Sequence, residues 1–181
     1  VDLSRYDNRA FDRGTPWWKE ALWRLCQGLF FQPLWHVPSG LRAGLLRAFG
    51  ARVGRGCVIR AGVNISFPWR LELGDHVWLG EEVMILSLGR VVVGSHVCIS
   101  QRAFLCTGSH NHRSPAFDLV VRPVEVGERC WVGAGAFVGP GVALPPGTVL
   151  GAGAVVVRSP EGPGVYVGNP ARRVESGPSA P

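Results

Sequence analysis

Lysine is nearly absent from this chain of 181 residues: Lys19 stands alone beside 18 arginines, and with 13 acidic residues the formal charge is +6. An excess carried by guanidinium groups suits an anionic partner such as a phosphorylated cofactor, an acidic glycan or an anionic membrane surface. It does not point to nucleic acid, because no RNP, zinc-finger or helix-turn-helix pattern accompanies it. Paired cysteine motifs are missing as well. Cys26, Cys57, Cys98, Cys106 and Cys130 form no CxxC or CxxH pair, and their odd number reads as free thiols in a reducing cytoplasm. Long hydrophobic runs are lacking too. Val1 to Thr15 is polar and charged, unlike a signal peptide, and the apolar helical stretch that follows is too short and too charged to cross a bilayer. The length suits one domain with a real core.

Glycine is abundant, with 25 residues beside 14 prolines, and because they recur in period they do not signal disorder. From Val126 to Val155 the chain cuts into sixes: VGERCW, VGAGAF, VGPGVA, LPPGTV, LGAGAV. Each block opens with Val or Leu, continues with Gly or Pro, and holds a small or β-branched residue fifth: Cys130, Ala136, Val142, Thr148, Ala154. A helix repeats its apolar residues every 3.6 positions and a half-buried strand every 2. A strict six fits a coiled parallel β structure, in which three flat sides close a triangular turn of about 18 residues. The first residue of each block fills the core. The Gly beside it relieves crowding where the backbone bends, and the fifth is a small inward filler, a place Cys57 and Cys130 take as small apolar side chains.

The same register runs through Val53, Ile59, Ile65, then Leu73, Leu79, Ile85, then Val93, Ile99, Leu105. It slips by two residues at Leu71-Glu72 and Val91-Val92, once per turn and along one edge. That regularity argues against the competing architecture, a β-sandwich with accidental sixes. The expected fold class is all-β: a parallel β-helix of about five turns, roughly 24 Å tall at about 4.8 Å per rung. Periodicity does not give its hand, and most parallel crossovers are right-handed.

The chain divides into an arm and amphipathic helices over 1–52, the repeat array over 53–157, and a C-terminal loop and tail over 158–181. Pro16 begins a helix with Thr15 as N-cap. Trp17 to Phe31 reads amphipathic, with Trp18, Ala21, Leu22, Leu25, Cys26 and Leu29 on one face and Lys19, Glu20, Arg24 and Gln27 opposite; Pro33 ends it. Ser39 caps a second short helix carrying Leu41, Leu45 and Phe49, which Gly50 stops. Such helices are expected to cap the prism, whose open end exposes core and backbone edges. Trp17, Trp18, Trp23 and Trp35 crowd this region, which also suits a neighbouring subunit or peripheral membrane contact through Trp17 to Trp35. His36 reads as structural.

Residues 111–123, NHRSPAFDLVVRP, break the register and are expected to protrude as a loop of functional weight. The segment Leu105 to His112 opens it and supplies His110 and His112. Imidazole suits the base that takes a proton from an attacking alcohol. Cys106 lies near His110, so a Cys–His acyl-enzyme also comes into view, although packing explains Cys106. His76 and His96, fourth in equivalent blocks, should stack twenty residues apart on a solvated corner.

These blocks resemble the hexapeptide-repeat acyltransferases. The likeness extends over nearly the whole chain to the colanic acid biosynthesis acetyltransferase type, through LLRAFGARVG (Leu45–Gly54), VIRAGVNISFPWRLELGDHVWLG (Val58–Gly80), ISQRAFLCTGSHNH (Ile99–His112) and Phe117-Asp118-Leu119. The resemblance implies a left-handed parallel β-helix, a homotrimer and acetyl-CoA as co-substrate without a metal. It implies acetyl transfer to a hydroxyl of a sugar or lipid-linked glycan, in the cytoplasm or at the inner face of the membrane. The family's T-x-x-H falls on Thr107 and His110, implying His110 as general base, with His112 as backup. The donor positions would be Gly133, Ala134, Gly151, Ala152, Arg158, Asn169, Pro170 and Arg172, with Arg173 able to serve like Arg172. Arg158 stands where the family often has Lys. Glu82, Ser87 and Asn111 would line the acceptor. The alternatives are a xenobiotic or antibiotic O-acetyltransferase, a zinc enzyme of the γ-carbonic-anhydrase kind, for which the His110-x-His112 spacing is too narrow, and a non-catalytic trimeric scaffold.

Overall fold

The computed structural model describes residues 1–32 and 37–174. The expected stop at Pro33, the readings of Trp35 and His36, and the tail 176–181 lie outside them. The described chain is a left-handed parallel β-helix with three walls. The first wall stacks Arg52–Val53, Leu71–Leu73, Val91–Val93, Val124–Val126 and Ala143–Leu144. The second stacks Val58–Ile59, Trp78–Leu79, Cys98–Ile99, Trp131–Val132, Val149–Leu150 and Val165–Val167. The third stacks Asn64–Ile65, Met84–Leu86, Phe104–Cys106, Phe137–Val138 and Val155–Val156.

Five turns are complete, and Val165–Val167 lays a sixth rung, on which Arg172–Val174 folds back antiparallel. The expected C-terminal loop therefore continues the coil. It supplies the partners that the last full turn lacks: the N–H groups of Val149, Gly151 and Val155 donate to the carbonyls of Gly164, Tyr166 and Gly168.

The inward residues are the first and fifth of each block, as the register requires. Ile59, Ile65, Leu79, Ile85, Ile99 and Leu105 are fully buried, and Val63, Val77, Val83, Ala103, Ala136 and Ala154 fill between them. The glycines divide their labour differently from the sequence reading. The bend falls on the fourth residue, which takes a left-handed conformation at Gly56, Gly62, Gly135, Gly141, Gly147 and Gly153, and equally at His76, Glu82, His96, Arg102 and Arg129. The second-position glycine instead makes room for the next rung. A Cβ on Gly133 would meet the Leu150 carbonyl oxygen at 2.5 Å and the Ala152 nitrogen at 2.7 Å. Gly133→Ala should therefore cost about 1–3 kcal/mol of stability by overpacking, read as a lowered unfolding midpoint. His76 and His96 stack as expected, with centroids 5.2 Å apart and planes at 17°.

Two helices, α1 (Trp17–Phe30) and α2 (Ser39–Ala48), close the other end. A first rung has no strand below it, so its backbone groups need other partners. The Ser39 hydroxyl bridges the N–H and carbonyl of Ile59, and Arg42 Nη1 donates to the same carbonyl at 3.0 Å. Gln27 accepts from Ile65 N–H, Trp23 Nε1 donates to the Ile65 carbonyl at 2.7 Å, and Gly62 N–H donates to Phe31. Arg42 Nε also donates to the Phe30 carbonyl at 2.9 Å, placing a cation at the negative end of α1. Thr15 and Ser39 are not the N-caps: Pro16 and Pro38 hold those places, without side-chain caps. Gly50 stops α2 at a φ of 101°, as expected.

The buried face of α1 differs from the expected one. Glu20, Trp23 and Cys26 are buried, while Trp18, Leu22, Leu25 and Leu29 are 56, 50, 60 and 46 % exposed. The helix turns inward the face read as polar, where Glu20 and Gln27 flank Trp23, because the open rung needs polar partners: the indole N–H reaches the Ile65 carbonyl and the Gln27 oxygen its N–H. Burial works against the charge of Glu20, but hydrogen bonds from Arg13 and Arg24 outweigh it and hold the carboxyl below its usual range.

Candidate active site

The phase slips fall on the edge between the third and first walls, and the interruption grows from the same edge. It is a hairpin rather than an irregular loop: Gly108–His110 pairs antiparallel with Leu119–Val121, with His110 opposite Leu119. Thr107 anchors its base. The Thr107 hydroxyl is buried, donates to the Leu86 carbonyl at 2.6 Å and accepts from Gly89 N–H at 2.8 Å.

His110 ends the first strand of the hairpin, half-buried between two rings. Phe117 stacks parallel on the imidazole with centroids 4.2 Å apart, and Tyr6 meets it edge-on at 5.5 Å. Phe117 adopts a φ of 53°, a conformation costly for an aromatic residue, and its carbonyl oxygen lies 2.8 Å from His110 Nδ1. A carbonyl only accepts, so Nδ1 carries the proton and Nε2 keeps its lone pair. Asn111 follows in the turn, its N–H on the Asp118 carbonyl and its side-chain oxygen accepting from Arg113 N–H. His112 is exposed in that turn.

Tyr6 escaped the sequence reading, because the arm that carries it is polar and has no period. The arm runs along the edge of the prism. Asp2 N–H donates to the Pro115 carbonyl at the hairpin tip, and farther down Trp69 Nε1 donates to the Arg13 carbonyl and Arg70 to that of Asp12.

Cys106 is buried, its thiol is pushed up by burial, and Sγ donates to the Gly108 carbonyl at 3.0 Å. This is the setting of a filler rather than a nucleophile. Ser87 is fully buried with its hydroxyl spent on both backbone groups of Phe67. Glu82 sits on the edge between the second and third walls, ion-paired with Arg102 at 2.7 Å. Neither residue hydrogen-bonds or ion-pairs with His110 in the chain. Among the described residues, no three His, Cys, Asp or Glu side chains gather as a metal site.

The expected donor positions fall in two groups. Ala134 and Ala152 stack, exposed, on the edge between the second and third walls, beside Gly135 and Gly153, where an added Cβ would meet nothing within 4 Å. Gly133 and Gly151 serve the packing of the rungs above them, since a Cβ on Gly151 would meet the Val167 side chain at 2.8 Å. Arg158, Pro170 and Arg172 line one groove of about 290 Å³ with Val155, Val156, Val157 and Ala171. Arg173 joins Arg158 and Arg172 around a neighbouring one of about 280 Å³. Asn169 is exposed in the adjoining turn.

The comparisons with known proteins agree with this architecture. The family described as hexapeptide repeat of succinyl-transferase matches residues 40–66 and 123–158. WcaF of Escherichia coli K12, to which an acetyltransferase role in colanic acid biosynthesis is ascribed, is 42% identical over 131 residues, covering 72% of each chain. A hexapeptide-repeat acetyltransferase from Vibrio cholerae O1 biovar eltor, solved with acetyl coenzyme A, superposes with a TM-score of 0.79 at 21% identity over 87% of this chain and 86% of that one. A maltose O-acetyltransferase from Clostridium difficile 630 gives 0.76 at 21% identity, over 87% and 85%. The two solved structures carry the fold. Sequence and fold together define a hexapeptide-repeat acetyltransferase. The chain belongs to the family of WcaF, as the identity over most of its length requires.

Proposed function

We propose that this acetyltransferase moves acetyl from acetyl-CoA to a hydroxyl of a sugar or lipid-linked glycan in exopolysaccharide biosynthesis, with His110 as general base. The observation that carries the reading is the 2.8 Å contact from Nδ1 to the Phe117 carbonyl, which leaves Nε2 as the basic atom. The acceptor hydroxyl attacks the thioester carbonyl carbon while its proton passes to Nε2. Collapse of the tetrahedral intermediate breaks the carbon–sulfur bond, and the imidazolium returns that proton to the departing thiolate. No covalent acyl-enzyme forms, in keeping with the buried Cys106.

Arg158, Arg172 and Arg173 offer guanidinium groups to the donor's phosphates, and the narrow ledge of Ala134 and Ala152 suits a pantetheine chain lying against backbone. The assembly we propose is a homotrimer. Val58, Trp78, Cys98, Trp131, Val149 and Val165 form one outward apolar column on the second wall, a surface suited to another copy. Glu82 would reach an acceptor near His110 only across such a contact, and Asn111 only from the hairpin turn itself. The five free thiols favour the cytoplasm.

The test is thiol release from acetyl-CoA with nucleotide sugars, lipid-linked sugars, glycans and antibiotics as acceptors. Acetylation of a sugar hydroxyl is the expected outcome. Turnover confined to antibiotics, or no binding of CoA, would overturn the reading.

A further inference from the structure

The outward face of α1 has no role in closing the prism. Trp18, Leu22, Leu25 and Leu29 follow one another at steps of four, three and four, so they share one face over about 17 Å of helix. All four are about half exposed or more, Trp17 beside them is 79 % exposed, and Leu41 of α2 adds 47 %. An apolar stripe of this kind on an otherwise charged surface needs a partner.

The charge around it says which. Residues 17–62 carry seven basic side chains, Lys19, Arg24, Arg42, Arg47, Arg52, Arg55 and Arg60, against the single acid Glu20. The rest of the sequence carries twelve of each sign, so the whole excess of +6 belongs to the two helices and the first turn. Arg42 is buried, and Arg24 is tied to Glu20. Arg52, Arg55 and Arg60 reach up to Glu72, Asp75 and Glu81 of the second turn in exposed pairs. With those three carboxylates counted in, this end still carries an excess of three positive charges, of which buried Arg42 is one.

We infer that the capped end docks on an anionic lipid bilayer, with the Trp18–Leu29 stripe in the headgroup and acyl boundary and the arginines of the first turn against the phosphates. Indole rings favour that boundary, and a basic amphipathic helix lies in it without spanning. No described helix is long and apolar enough to cross a membrane. A second copy of the same face is disfavoured, because it would set positive charge against positive charge. This inference is independent of the acetyl-transfer reading.

The experiment is co-sedimentation of the whole protein with vesicles of phosphatidylcholine alone and of phosphatidylcholine with phosphatidylglycerol. Binding to the anionic vesicles, weakening as salt rises, is expected. The double variant Leu22→Glu, Leu25→Glu should bind them at least about tenfold more weakly. It should keep its unfolding midpoint, its oligomeric state and its acetyl transfer to a water-soluble acceptor. Wild-type protein left in the supernatant at low salt would overturn the inference, as would equal binding by the variant. A changed oligomeric state in the variant would also overturn it, by making the face a contact between copies. An inactive protein that still binds vesicles would leave the docking inference standing and count against the catalytic reading alone.

Discussion

His110→Ala is expected to lower acetyl-transfer turnover by about 10²- to 10⁴-fold, the range a positioned general base contributes. The loss should fall mainly on kcat, because the grooves beside Arg158 and Arg172 that we propose for the donor stand on other elements. Removing the imidazole also removes the ring between Tyr6 and Phe117 and one hydrogen bond. That costs roughly 1 kcal/mol of stability, too little to unfold a prism of this size. Steady-state kinetics beside thermal unfolding separates the two effects. His112→Ala is the control: an exposed turn residue should leave turnover within about twofold. An undiminished rate in the His110 variant, with a loss in the His112 variant, would move the base to the turn.

The largest effect on stability is expected at Trp23. The side chain is fully buried, packs edge-on against Phe31 at 5.3 Å and against Phe49 at 5.2 Å, and donates to the Ile65 carbonyl. Trp23→Ala opens a cavity and orphans an edge carbonyl, so a cost of about 3–5 kcal/mol follows, or roughly 6–20 °C of unfolding midpoint at this chain length. Trp18→Ala, at a side chain 56 % exposed, should stay within about 0.5 kcal/mol. Calorimetry on the two variants distinguishes the faces of α1. Equal losses would mean that the helix packs through the stripe instead.

These contrasts mark where the sequence was legible. A six-residue period over Val126–Val155 allows a single solution for core and walls, because every first and fifth residue must point inward, and the two-residue slips locate the edge from which the hairpin grows. The turn geometry was less visible. Glycine at the fourth position announces a left-handed bend, but His76, Glu82, His96, Arg102 and Arg129 make the same bend without announcing it. Helix periodicity failed for α1 because the face it reads as polar is the one the open rung needs, and that choice belongs to a carbonyl 42 residues away in sequence. The position of His110 at the mouth of the interruption was legible from the break in the register. Its two ring neighbours were not: Phe117 is brought in by a hairpin register and Tyr6 by an arm without pattern. The sixth rung was hidden because Val165–Val167 follows a Pro- and Gly-rich loop that breaks the period.

The proposed catalysis requires Nε2 of His110 to face the hydroxyl that attacks the thioester carbon. A crystal structure of the protein soaked with CoA reads this out. The expected result is a pantetheine arm along Ala134 and Ala152 that ends with its sulfur near Nε2, leaving room between them for a hydroxyl oxygen at about 3–3.5 Å from the place an acyl carbon on that sulfur would take. A CoA thiol that ends far from every copy of His110 would contradict it.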